Sequence, residues 1–148
     1  MKTDRYLDDK QCIDRLLNEW EKYGFLIISY EFDDVIFDYH GKDDKYPNMI
    51  DLLRKAKKLG CYLVVFSCSE DSRIPFIEKH LIDNDIPFNS INQMPEFLGF
   101  NCRKIYANHI LDSRSGLSSA YNILNEVCEI VWMNRNADKI KLKQDVDY

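Results

Sequence analysis

Glycine and proline are scarce in this chain, five and four residues among 148. That excludes a collagen-like repeat and a Pro/Gly-rich disordered chain. No apolar run approaches the roughly 18 residues that a membrane-spanning helix needs. The opening Met1-Lys2-Thr3-Asp4-Arg5 is polar, so no secretory signal is read there. Five cysteines (Cys12, Cys61, Cys68, Cys102 and Cys128) form no Cys-x-x-Cys pair. An odd, unpaired set excludes a disulfide framework or a zinc site and points to reduced thiols in a cytoplasm. Basic residues are outnumbered 20 to 25, for a net charge of −5, so no general nucleic-acid affinity is expected. What remains is 45% hydrophobic residues, enough to bury roughly two-thirds of the unfolded surface of one domain.

The apolar spacing alternates between two periods. Cys12, Ile13, Leu16, Leu17 and Trp20 predict a helix over Asp8 to Tyr23, with Gly24 ending it. Phe25 to Ser29 is a short continuous apolar run, the pattern of a strand buried on both faces. Pro47 opens a helix whose face is Ile50, Leu52, Leu53, Ala56 and Leu59, closed by Gly60. Cys61 to Phe66 reads as the second strand, Ser72 to about Asn84 as a helix, and Ile86 to Phe88 as an extended piece. Ser90 to Phe100 reads as a loop. A strand within Ile105 to Leu111 precedes a helix over Ser115 to Cys128, and Ile130-Val131-Trp132-Met133 reads as a last strand. The tail from Asn136 is expected to be frayed or a single helical turn.

This order predicts a Rossmann-like three-layer α/β/α sandwich with a mostly parallel sheet of about five strands. Residues 1–24 would be an N-terminal helical extension and residues 25–148 the α/β domain. Ligands of such sheets bind outside the carboxyl ends of the strands. Glu31, Asp33 and Asp34 follow the first strand, Ser67 and Ser69 the second, and Asp112, Ser113 and Arg114 a later one. Alternation along the chain puts Asp34 on the opposite side from Asp33. Carboxylates on neighbouring strand ends are a hard oxygen set suited to Mg²⁺. Hydroxyl and ammonium groups beside them suit phosphoryl oxygens.

With these residues in place, the chain resembles the haloacid dehalogenase-like (HAD) superfamily from about Phe25 to Asn134. Ile27-Ile28-Ser29-Tyr30-Glu31-Phe32-Asp33-Asp34 is similar to its first motif, a strand ending in Asp-x-Asp. Val64-Val65-Phe66-Ser67 is similar to the second, Arg103-Lys104 to the third, and Ile110-Leu111-Asp112-Ser113-Arg114 to the fourth. The resemblance implies Mg²⁺-dependent phosphomonoester hydrolysis. By position, Glu31 falls at the nucleophile and Asp33 at the general acid/base, Ser67 and Lys104 hold phosphoryl oxygens, and Glu31, Asp33 and Asp112 hold the metal.

Two positions depart from the family pattern. The nucleophile position carries Glu31 rather than Asp, and Ser113 replaces the second acid of the fourth motif. One extra methylene displaces the attacking oxygen by about 1 Å, which can cost roughly 10²-fold in rate. Loss of a supporting acid weakens metal affinity by roughly 10–100-fold. The alternative expectation is a catalytically inactive HAD-like pseudoenzyme that binds or regulates. The intervals from Glu31 to Ser67 and from Ser67 to Lys104 each hold one helix with its loops, so the protein is expected to be capless, open to a macromolecular phosphorylated ligand. The N-terminal helix, with Arg15, Asn18, Glu19 and Glu21 opposite its apolar stripe, could dock a protein partner. His40, His80 and His109 fall in a loop, a helix and a strand and read as core or surface histidines.

Overall fold

The computed structural model describes residues 4–146. Met1, Lys2 and Thr3 of the opening segment, and Asp147 and Tyr148 at the end of the tail, lie outside the described residues. After a single 3₁₀ turn at Arg5–Leu7 come α1 (Asp9–Tyr23), β1 (Ile27–Glu31), α2 (Pro47–Lys58) and β2 (Tyr62–Phe66). A second 3₁₀ turn, Asp71–Arg73, runs into α3 (Ile74–Asp83); β3 (Ser90–Ile91), β4 (His109–Leu111) and α4 (Leu117–Val146) complete the order. The four strands make one parallel sheet in the order β3-β2-β1-β4. The expected Rossmann-like α/β architecture is present, with four strands among the described residues rather than five.

Local chemistry explains the boundaries. Asp8 accepts a hydrogen bond from the Lys10 amide at the start of α1, and Gly24 ends it at φ 83°, donating to the Trp20 carbonyl. A residue with a Cβ is strained at that angle. Pro47 opens α2, where its missing N–H is no loss. α1 and α2 both lie beside α4 and run parallel to it. At one end Ser119 donates to Asp9, and at the other the Arg135 guanidinium lies 6.0 Å from the Trp20 ring and donates to the Leu59 carbonyl. Between them the Lys55 ammonium contacts Asn125 and Glu129.

The sheet's two faces are covered differently. Ile28, Tyr30, Leu63, Val65 and Leu111 share one face and join the buried sides of all four long helices in a single hydrophobic cluster. Ile13, Leu16 and Trp20 belong to it, so the apolar stripe of α1 is spent inside this chain. The opposite face carries Ile27, Ser29 and Val64 and is covered by the irregular segment Asn92 to Asn108. There Phe97 packs edge-on against Phe25 and Tyr62, with ring centres 5.7 and 5.2 Å apart. This third layer stops short of the strand tips, leaving Phe66 and Ile110 more than a third exposed.

Three sequence expectations are corrected. The strand expected at Ile130–Met133 is helix, and the tail from Asn136 continues as the same helix to Val146. Ala120, Ile123, Leu124, Val127, Cys128 and Val131 are buried at helical spacing, whereas Trp132 and Met133 are exposed. The dense apolar run is therefore where one stripe meets an exposed flank, not a strand with two buried faces. β3 forms at Ser90–Ile91, inside the expected loop, and Ile86 to Phe88 stays outside the ladder. The Asn89 amide donates to the Leu63 carbonyl and its side chain accepts from the Leu63 amide, which sets the register.

Candidate functional site at the strand tips

Parallel pairing fixes the tips of three strands side by side. Glu31 is in register with Phe66, so Ser67 lies one step beyond, and Tyr30 pairs with Leu111, which brings Asp112 level with Glu31. Ser113 completes the junction: its amide and hydroxyl both donate to Glu31 Oε2, at 3.2 and 2.8 Å. Burial is the largest influence on Glu31 and holds its carboxyl above the usual range; the Ser113 hydroxyl pulls it back and the neighbouring Asp112 carboxylate pushes it up again.

Beyond Glu31 the chain folds into a tight turn. The Phe37 amide donates to the Phe32 carbonyl, and the Asp34 amide to the Phe37 carbonyl at 2.7 Å. Asp34 adopts φ 58°, in the left-handed region that Asp tolerates better than most residues. That angle breaks strand alternation. Asp34 consequently lines the same hollow as Glu31 and Asp33, which corrects the expectation that it faces away. Its carboxylate grips one residue twice, accepting from the His40 amide at 3.3 Å and meeting the ring Nδ1 at 2.5 Å.

Asp33 is fully engaged. Both of its oxygens receive 2.7 Å hydrogen bonds from the Arg73 guanidinium, a bidentate pair. Arg73 sits among aromatic rings, 5.5 Å from Phe32, 5.6 Å from Tyr39 and 5.8 Å from both Phe37 and Phe76. The Asp33 hydrogen bond, against some loss from burial, holds the Arg73 pKa above its ordinary value. Arg73 also donates to the Ser69 hydroxyl at 2.7 Å, and Ser69 is 2.6 Å from Ser67. Ser67 itself is buried, its backbone clasped by the Asn92 side chain through bonds of 2.8 and 2.9 Å. Ser69 rather than Ser67 lines the hollow.

The resulting hollow measures about 740 Å³ and is walled by Glu31, Asp33, Asp34, His40, Ser69, Arg73 and Arg114, among others. Lys104 lines a neighbouring groove of about 600 Å³ with Asp112, Ser29 and Phe66. The strand tips thus bring Glu31, Asp33, Ser67 and Asp112 together, while Lys104 stands in the adjoining groove, which Asp112 also lines. No cluster of three or more His, Cys, Asp or Glu side chains gathers around one point among the described residues. Arg73 and His40 were not legible as site residues. Neither follows a strand directly, and each reaches the hollow through a turn.

No family model matches the chain, and no curated protein matches it. Among solved structures, a conserved protein from Bacteroides thetaiotaomicron is similar, with a TM-score of 0.57 and 19% sequence identity over 69% of this chain and 91% of its own. That likeness is one of fold: it extends the α/β description above to a second protein and leaves the chemistry of the strand tips to be argued from the side chains.

Proposed function

We propose that the strand-tip hollow binds a phosphorylated ligand and hydrolyses its phosphomonoester slowly, in the manner expected of a HAD-like phosphohydrolase. The observation that carries this reading is the double hydrogen bond from Ser113 to Glu31, with Asp112 level with Glu31 on the adjacent strand tip, in a hollow that also holds Arg73, Arg114 and Ser69. A carboxylate facing guanidinium and hydroxyl groups is an arrangement for attacking a phosphorus whose other oxygens are held.

The donor chemistry fits Mg²⁺. Glu31 and Asp112 are hard oxygen donors crowded together at a cost, and Mg²⁺ takes one or two carboxylates with water and phosphate completing its shell. Glu31 and Asp112 would hold it; Asp33, with both oxygens given to Arg73, is committed elsewhere. If bound there, Mg²⁺ would supply neutralisation of charge on phosphoryl oxygens. Among the described residues no helix forms a lid over the hollow, which suits a phosphate carried on a macromolecule and excludes water poorly.

A second reading has its own observation. The bidentate Asp33–Arg73 pair occupies the side chain that the family resemblance casts as acid/base. A chain so disposed can serve as a pseudoenzyme that binds phosphate without turning it over. One assay separates the two: hydrolysis of an aryl phosphate with Mg²⁺ by the wild type, Glu31→Gln and Glu31→Asp. The hydrolase reading expects turnover that Glu31→Gln abolishes. An inert wild type that Glu31→Asp converts into a hydrolase means a binding protein on a disarmed scaffold.

A further inference from the structure

We infer that His40, oriented by Asp34, is the group that gives and takes protons in this site. The inference rests on the phosphohydrolase reading above and assigns a role that Asp33 is not placed to fill. Both oxygens of the Asp33 carboxylate accept from the Arg73 guanidinium, so neither is left to meet a leaving-group oxygen.

His40 meets the requirements that Asp33 lacks. Its ring lines the same hollow as Glu31, Arg73 and Arg114. Asp34 receives Nδ1–H and, through its other oxygen, the His40 backbone amide, so a single carboxylate fixes both the tautomer and the residue's place. Nε2 makes no hydrogen bond among the described residues and is free to exchange a proton. The loop that carries the ring is itself pinned: Asp38 accepts from the Lys42 and Asp43 amides at 2.8 Å each, and the Tyr39 ring packs edge-on against His40 at 5.1 Å. The left-handed Asp34 is what turns this pair toward the hollow. The other charged groups walling the hollow are Glu31, Asp33, Glu70, Arg73 and Arg114.

The proton balance is complete. As Glu31 forms its bond to phosphorus, the bond to the ester oxygen breaks and its electron pair takes the proton from Nε2 of the imidazolium, releasing an alcohol. The neutral ring then removes a proton from water as the water oxygen attacks phosphorus. The acyl phosphate bond breaks back onto Glu31, orthophosphate leaves, and the imidazolium is restored.

The test compares p-nitrophenyl phosphate, whose leaving group needs no proton, with phenyl phosphate, whose leaving group does. His40→Asn and Asp34→Asn are measured against wild type with Mg²⁺, while orthophosphate binding is followed by phosphorus NMR line broadening. His40 is exposed, so its replacement is not expected to disturb folding. The expected result is a kcat/KM, which reports the step that expels the leaving group, that falls about 10²-fold for phenyl phosphate in His40→Asn, a much smaller fall in kcat/KM for p-nitrophenyl phosphate, and unchanged orthophosphate broadening. Equal rates in wild type and His40→Asn, or equal losses on both esters, overturn the dyad. A wild type that binds orthophosphate but cleaves neither ester overturns the dyad and leaves the phosphate site standing. A wild type that does not bind orthophosphate removes the phosphate reading itself, and the dyad falls with it.

Discussion

Asp33 and Arg73, forty positions apart in the chain, are joined by two hydrogen bonds of 2.7 Å. Their side chains are only 23% and 26% exposed, and the guanidinium lies among four aromatic rings. Solvent screening is therefore weaker than for the open pairs on the helix surfaces, such as Lys10–Asp14. The pair ties the turn after β1 to the start of α3 and so gives the hollow two of its walls.

Removing either partner strands the other. Asp33→Asn and Arg73→Met are each expected to lower unfolding stability by about 2 kcal/mol, read from urea denaturation. The double variant is expected to cost clearly less than the sum. Additive losses mean that the two residues do not act as a pair.

Glu31 shows the opposite sign. Its carboxyl is held above the usual range, mainly by burial and by Asp112, so the folded state binds a proton more readily than the unfolded chain. Stability from this group is full below the ordinary glutamate pKa and is lost as pH rises through the folded value. At pH 7 the ionised Glu31 is therefore a burden on the fold. Glu31→Gln is expected to raise the thermal midpoint at pH 7, with the gain vanishing below about pH 4, where both side chains are neutral. A lower midpoint at pH 7 contradicts the assignment.

The two buried-side histidines give an acid limit. Burial lowers the pKa of His109, whose Nε2 is 2.8 Å from the Ala120 carbonyl, and also that of His80. With folded values depressed, the stability they confer is present above the ordinary histidine pKa and is lost as pH falls through the folded values. Urea midpoints of the wild type are expected to fall as pH drops from 7 to 5. His109→Gln, which keeps an N–H for Ala120, is expected to flatten that slope, and an unchanged slope removes His109 as a cause.

The strand tips could be read from the sequence because a buried parallel strand is a short, dense apolar run, and the first polar residue after it must lie at the sheet's rim. Glu31, Ser67 and Asp112 follow from that rule alone. Asp34 and His40 do not, because their placement depends on a left-handed residue and a turn closed by Phe32 and Phe37. Arg73 was hidden for a related reason. It stands on a 3₁₀ turn, and only the tertiary pairing with Asp33 marks it among the chain's other cations. β3, two residues long, carries too little pattern to register; it exists because β2 offers it an open edge.

The clearest failure of pattern is Ile130 to Met133, and it yields a sharp test. Four consecutive apolar residues fit a buried strand, but a helix divides them between faces. Val131 is 9% exposed and Trp132 55%. The helix continues the stripe of Leu124, Val127 and Cys128, so Trp132 stands outside the packing that it would dominate in a strand. Trp132→Ala is therefore expected to change stability by no more than about 0.5 kcal/mol, whereas Leu124→Ala costs about 3 kcal/mol. Tryptophan fluorescence gives the same discrimination without denaturation. In Trp20→Phe, where Trp132 is the remaining indole, emission is expected to be red-shifted and readily quenched by acrylamide. In Trp132→Phe, the remaining Trp20 is expected to be shielded. A Trp132 that is blue-shifted, resists quenching and costs as much to remove as Leu124 belongs in a sheet core, and α4 would then have to end before it.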